Sequence, residues 1–182
     1  PKIEAVLNIL QPGQEGGNAV ADVLLGKKVP SGKLTDSWAM DYSDYPSAQT
    51  FSFKSGDVFH EEYKEGIYVG YRYFDTFDVP VRYGFGFGLS YTTFSISSPN
   101  VTLTGLGTEN PTLTAEVEVT NTGEQYSGKE VVQVYVSCPQ QGLPKEYRRL
   151  AGFAKTKELS PKETQKLTIS FPLYQLSSYD ES

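Results

Sequence analysis

The sequence is poor in the side chains that most often carry chemistry. Among 182 residues there is one cysteine, Cys138, and one histidine, His60. A single thiol excludes an internal disulfide and with it a disulfide-stapled scaffold. A structural zinc site built from several Cys and His residues is excluded by the same two counts. Ser-His-Asp and Cys-His catalysis are excluded unless His60 is the base. Positive charge is also scarce, with 16 basic against 22 acidic side chains and a net charge of −6. Phosphate backbones and anionic membrane surfaces both require a basic face, so neither nucleic acid nor membrane is expected as a partner. No apolar run approaches the roughly 20 residues of a membrane helix.

Turn formers and aromatics are abundant by contrast: Gly 17, Pro 11, Tyr 13 and Phe 10. Hydrophobic residues make up 38% and charged residues 21%, the balance of a chain able to bury a core. The chain opens on Pro1 inside an apolar run, without the basic segment, apolar stretch and small-residue cleavage site of a signal peptide. This reads as the interior of a longer protein. The lone thiol leans towards a cytoplasmic compartment and does not decide it.

The first unit reads as strand, turn and helix. Ile3, Ala5, Val6, Leu7, Ile9 and Leu10 form a nearly continuous apolar run, as in a strand buried on both faces. Pro12 to Gly17 breaks it. Ala19, Val20, Val23 and Leu24 then recur at helical spacing, and Gly26 supplies the stop. Residues 27–58 are rich in loop formers, with a short strand expected between Leu34 and Trp38. Ile67, Val69, Tyr71 and Tyr73 alternate with Tyr68, Gly70, Arg72 and Phe74, which predicts a strand. Tyr83-Gly84-Phe85-Gly86-Phe87-Gly88-Leu89 alternates aromatic or apolar residues with glycine.

From Phe94 onward the period is two. Leu113, Ala115, Val117 and Val119 oppose Thr114, Glu116, Glu118 and Thr120. Val132, Val134 and Val136 follow, then a weaker strand between Tyr147 and Lys155. Leu167, Ile169, Phe171 and Leu173 alternate with polar residues and Pro172. Repeated short strands separated by turn signals predict an antiparallel sandwich. The fold class is therefore mixed: a partial α/β unit, residues 1–93, followed by a β-sandwich, residues 94–182.

Four ordered segments carry a family resemblance: Pro12-Gly13-Gln14-Glu15-Gly16-Gly17-Asn18-Ala19, Pro30-Ser31-Gly32-Lys33-Leu34, Glu65 to Asp75, and Tyr83 to Phe94. They resemble the end of the α/β-sandwich domain of glycoside hydrolase family 3, the β-glucosidase and β-xylosidase group. Val119-Thr120-Asn121-Thr122-Gly123, Gly128 to Val136 and Leu150-Ala151-Gly152-Phe153 resemble the immunoglobulin-like, fibronectin type III-like domain that follows in many members. The resemblance implies a retaining, exo-acting enzyme that removes terminal β-linked glucose or xylose from oligosaccharides or glycosides. It also implies that the nucleophilic aspartate lies on a separate (β/α)8 barrel, and that the acid/base glutamate precedes the Pro-Gly-Gln-Glu-Gly-Gly segment. Retaining hydrolysis needs two carboxyl groups about 5–5.5 Å apart. Neither matching motif occurs in these residues. The resemblance thus implies a piece truncated at both ends, with an incomplete sandwich, acting as scaffold. Its expected partners are the missing catalytic domains and the glycoside substrate. The alternative is a stand-alone sandwich that binds carbohydrate or protein. A structural piece associating through an open sheet edge is a third reading.

No residue is assigned a catalytic, cofactor-binding or metal-binding role, and no cofactor is expected. His60-Glu61-Glu62 reads as a solvated cluster lacking an orienting third group. Glu15 reads as a carboxylate favourable to a helix N-terminus. Pro12 to Gly17 lacks the glycine and lysine spacing of a phosphate loop. Asp41, Asp44 and Asp57 lack the spacing of a calcium loop. Tyr68, Tyr71, Tyr73, Phe74, Phe85 and Phe87 form either a sugar-stacking platform or a packed contact between the units. Arg72 is expected to pair with Asp75 or Glu65. Trp38 is a remaining candidate for a substrate-side residue, and Asn100-Val101-Thr102 matches a glycosylation acceptor.

Overall fold

The structure, a computed structural model, describes residues 2–57 and 59–180. Residues 2–10 form no regular element. Ile3, Val6 and Leu10 are 80%, 62% and 79% exposed, so the expected first strand is not formed. A strand with two apolar faces is stable only between neighbours, and among the described residues no strand pairs with it. The helix that follows, α1 (Gly16–Leu24), forms as its spacing predicts, with Val20 and Val23 half-buried. Its last turn is held by the Tyr91 hydroxyl, which donates to the Val23 carbonyl at 2.8 Å.

The expected strand between Leu34 and Trp38 shrinks to β1 (Trp38–Ala39), which lies antiparallel to β2 (Val81–Tyr83). Between them, residues 71–76 are helical: α2 (Tyr71–Thr76) replaces part of the predicted Ile67–Phe74 strand. Aromatic residues fall at both spacings here, so alternation alone misleads. The backbone decides at Gly70, whose φ of 59° ends any extended segment and turns the chain into the helix. Phe74 then faces the interior at 3% exposure. Beyond Tyr83 the glycine–aromatic run is irregular. It pairs with the Pro30–Leu34 turn instead: the Leu34 N–H donates to the Phe87 carbonyl at 2.8 Å and the Gly86 N–H to the Leu34 carbonyl at 2.7 Å. At Gly88 a β-carbon would lie 2.2 Å from the Gly32 carbonyl oxygen, which explains glycine at that close approach.

The rest is a two-sheet sandwich. β3 (Phe94–Ile96) and β4 (Asn100–Thr104) lie end to end along one edge of β5 (Thr112–Asn121), and β8 (Thr164–Pro172) occupies the other edge. β6 (Val131–Val136) pairs with β7 (Arg149–Lys155) to make the second sheet. All pairings are antiparallel. β5 and β8 alternate buried and more exposed residues as their sequences predict. Val117, Val119, Leu167 and Ile169 meet Val132 of the opposite sheet, with Leu159 sealing the end and Phe94, Val134 and Ala154 packed around them. Fully burying each large aliphatic side chain contributes about 1.5–3 kcal/mol, so this cluster dominates the stability of the sandwich. No helix among the described residues is long and apolar enough to cross a membrane.

Candidate functional site

The chain's two halves meet where α2 docks on the β6–β7 sheet. The register of that sheet slips by one residue, so that Val134 faces Gly152 but Tyr135 faces Leu150. Tyr135 meets Tyr71 of α2 edge-on, with ring centroids 5.7 Å apart, and Tyr71 lies 5.1 Å from Phe85. The Leu150 N–H donates to the Tyr71 hydroxyl oxygen at 2.8 Å, and the Tyr147 N–H donates to Thr76 Oγ1 at 2.9 Å. Arg148 Nε donates to Asp75 Oδ2 at 2.7 Å while its guanidinium sits 4.8 Å from the Tyr135 ring centre. The Asp75 hydrogen bond raises the Arg148 pKa above its ordinary value, despite an opposing effect of burial. Burial raises the Tyr135 phenol pKa.

A second polar anchor lies beside this dock. Glu146 is 3% exposed and receives Arg149 through both carboxylate oxygens. Burial alone would raise the Glu146 carboxyl pKa. The hydrogen bond from Arg149, together with the charges of Arg149 and Arg72, outweighs it and holds the carboxyl below its ordinary range. Arg149 Nη1 donates to the Gln175 and Ser177 carbonyls, each at 2.9 Å, which ties down the segment after β8. On the other flank Lys33 bridges the Glu130 carboxylate at 2.8 Å and the Gly88 carbonyl at 2.9 Å. Lys155 Nζ donates to the Ser31 carbonyl at 2.8 Å. Burial, then Lys129 and Lys33, lower the Lys155 pKa.

The residues selected from sequence are scattered rather than gathered. Arg72, expected to pair with Asp75 or Glu65, does not take Asp75, because that carboxylate faces Arg148; the Arg72 charge instead bears on Glu146. His60 Nδ1 lies 2.8 Å from Asp57 Oδ2 on an exposed loop, and Glu61 accepts the Ser52 N–H at 3.1 Å. The Phe59 N–H and His60 hold the Asp57 carboxyl below its ordinary range. Glu62 pairs with Lys64. Glu15 precedes α1 and accepts from Asn18 Nδ2 at 2.5 Å. Asp41 and Asp44 cap a short 3-10 turn, Tyr42–Asp44. Among the described residues no group of three His, Cys, Asp or Glu side chains could hold a metal. Trp38 is half-buried edge-on to Tyr83. Asn100 is exposed at the start of β4.

The aromatic set divides. Phe74 is core, Tyr71 and Phe85 belong to the dock, and Phe87 is exposed against Tyr83. Tyr68 and Tyr73 are half-buried and belong to a chain of ring contacts that passes through the core at Phe74. Tyr42, Tyr45, Phe74, Tyr73, Phe77 and Tyr68 follow one another with centroid separations of 5.0–6.2 Å. Glu146, Arg148 and Arg149, the main anchors of the dock, were not singled out from sequence. Only their tertiary neighbours distinguish them from ordinary surface charges.

Residues 1–71 match the glycosyl hydrolase family 3 C-terminal domain, and residues 130–182 match a fibronectin type III-like domain. A β-glucosidase of Ruminococcus albus is 46% identical over 98% of this chain and 18% of its own length. Among solved structures, β-glucosidase 3B from Thermotoga neapolitana in complex with glycerol superposes with a TM-score of 0.84 at 43% identity. The match covers 92% of this chain and 23% of that one. A β-glucosidase from Paenibacillus barengoltzii gives a TM-score of 0.84 at 48% identity, covering 91% of this chain and 18% of that one. The chain thus spans about a fifth of the length of these relatives. With both domain matches in order along the chain and both reproduced in three dimensions, this chain belongs to glycoside hydrolase family 3.

Proposed function

We propose that this chain is a scaffold within a retaining, exo-acting β-glycosidase that releases terminal β-linked glucose or xylose. Residues 1–93 serve as the C-terminal part of the α/β-sandwich domain and residues 94–182 as the fibronectin type III-like domain bracing it. The observation that carries this reading is the use of the interior polar groups. Glu146, Glu130 and Asp75, the acids bound into the packed contacts, each face a cation: Arg149, Lys33 and Arg148. A carboxylate fixed against a cation within the fold is oriented as a clamp and not towards a leaving group, and Arg149 in addition holds the Glu146 carboxyl below its ordinary range. The exposed apolar face of residues 2–10 accords with the same reading, in which further strands of the parent would cover it.

Incubation of the isolated chain with an aryl β-glucoside tests the proposal. Release of the aryl alcohol at the rate of a heat-killed control is the expected result. Turnover above that control, abolished by substituting a carboxylate of this chain, refutes it.

A further inference from the structure

Lysines from three separate segments converge where the Pro30–Leu34 turn meets the β6–β7 sheet. Lys155 ends β7, and Val131, the first residue of β6, lies opposite it. Lys129 and Glu130 immediately precede Val131. The Thr156 N–H donates to the Glu130 carbonyl at 2.9 Å, and the Glu130 N–H donates to Thr156 Oγ1 at 3.0 Å. The approach to β6 is thereby fixed beside the end of β7. Lys33 arrives from the turn and bridges the Glu130 carboxylate and the Gly88 carbonyl. We propose that Lys155 is a modification site, acylated on Nζ by acyl phosphates, small acyl donors that carry a negatively charged phosphate.

The amine is presented and held. Lys155 is exposed, and its Nζ is oriented by donating to the Ser31 carbonyl at 2.8 Å. The amine is also activated. A lysine partly withdrawn from water and placed next to other cations gives up its proton more readily, and the neutral amine is the nucleophile. Burial acts first on Lys155, then the charges of Lys129 and Lys33, with Glu130 opposing them. Lys33 engages the Glu130 carboxylate at 2.8 Å and so offsets part of that opposition. The same cations favour an anionic donor, because positive charge gathered on one patch raises the local concentration of an anion. The step balances without an oxidant or reductant. Neutral Nζ attacks the acyl carbon and a C–N bond forms. The bond from that carbon to the phosphate oxygen breaks, its electron pair leaves on phosphate, and the proton lost from nitrogen passes to water. The products are an amide and inorganic phosphate, and one positive charge is lost from the cluster. Nearby lysines offer a contrast. Lys157 Nζ lies 2.5 Å from Glu163 and Lys166 Nζ lies 2.9 Å from Glu116, and a carboxylate at that distance repels an anionic donor.

Incubation of the 182-residue chain with acetyl phosphate near neutral pH tests the assignment, with acetylation of each lysine followed in time by peptide mass spectrometry. Lys155 should acetylate about tenfold faster than Lys157 and Lys166, the lower end of what electrostatic focusing gives. Nitrophenyl acetate, an uncharged acyl donor, should show a smaller preference for Lys155. Lys129 is exposed, so Lys129→Ala leaves the fold intact and should reduce the acetyl phosphate preference about threefold. Salt at about 1 M, where the Debye length is about 3 Å, should reduce it likewise. A Lys155 rate no greater than the rates of Lys157 and Lys166 overturns the inference. An equal preference with the uncharged ester overturns it too, as does a preference that neither Lys129→Ala nor salt alters, since exposure alone would then explain the reaction.

Discussion

Asn121 offers the sharpest test of how the sandwich is held together. It ends β5 with no exposed surface, and its side-chain amide is fully used. Oδ1 accepts from Thr92 Oγ1 at 2.6 Å and from the Gly123 N–H at 3.1 Å, while Nδ2 donates to the Tyr126 and Leu159 carbonyls, both at 2.9 Å. These bonds tie β5, the turn after it and the entry to β3 to the core residue Leu159. Asn121→Leu abolishes all four. The Leu159 carbonyl keeps one further donor, the Gly128 N–H at 3.0 Å, so the full penalty does not fall there. Two well-buried groups left short, at about 1–3 kcal/mol each, give an expected loss of about 2–6 kcal/mol. Asn121→Asp keeps the shape but turns a donor into an acceptor facing two carbonyls. Burial and those carbonyls raise the folded-state pKa of the new carboxyl above its unfolded value of about 3.9. The loss relative to wild type is therefore smallest below that unfolded value. It grows as pH rises and levels off above the folded value, at about 3–5 kcal/mol. Urea unfolding followed by circular dichroism at neutral and acidic pH measures both variants. An Asn121→Asp penalty below about 1 kcal/mol at neutral pH, or one that does not change with pH, would refute the reasoning.

Other substitutions probe the contacts between the halves. In a double-mutant cycle, Arg148→Ala and Asp75→Ala should show a coupling of about 1 kcal/mol, since the pair is partly exposed but also stacks on Tyr135; additive losses would mean that it stabilises nothing. Glu146→Ala leaves Arg149 largely buried without its counter-ion and should cost about 3 kcal/mol in thermal or urea unfolding. Because the folded Glu146 pKa is depressed, the difference between wild type and Glu146→Gln should be full above about pH 4.5 and shrink as pH falls through the folded value; a difference constant down to strong acid would contradict the assignment. Gly88→Ala forces a β-carbon onto the Gly32 carbonyl and should destabilise by about 1–3 kcal/mol, whereas Gly17→Ala, with open space around it in α1, should raise stability by about 0.5 kcal/mol; calorimetric melting of the two side by side checks the sign of each.

The elements differ in how far their residues announce them. β5 and β8 bury one face each, so alternation of side chains along each strand is enough to mark them. β4 escapes such a reading because all five of its residues are exposed, and its place is given by pairing with β5 rather than by burial. The sequence of α2 reads as a strand because aromatic residues occupy both candidate faces, and the deciding feature is the backbone turn at Gly70. The dock was harder still. Arg72 and Arg148 are both candidates for Asp75 by charge, and Asp75 lies near Arg72 in the sequence but pairs with a residue 73 positions away.

The order of residues by itself determined the family, the core-facing strands of the sandwich and the scarcity of catalytic side chains. Each of these depends on spacing within a short stretch or on simple counts. Tertiary structure alone decided which cation meets which carboxylate, which aromatic rings are buried, and that the apolar opening segment remains uncovered. The reason is physical: an ion pair, a ring contact or a buried strand face exists only where two distant surfaces come within a few ångströms, and no local pattern encodes that distance.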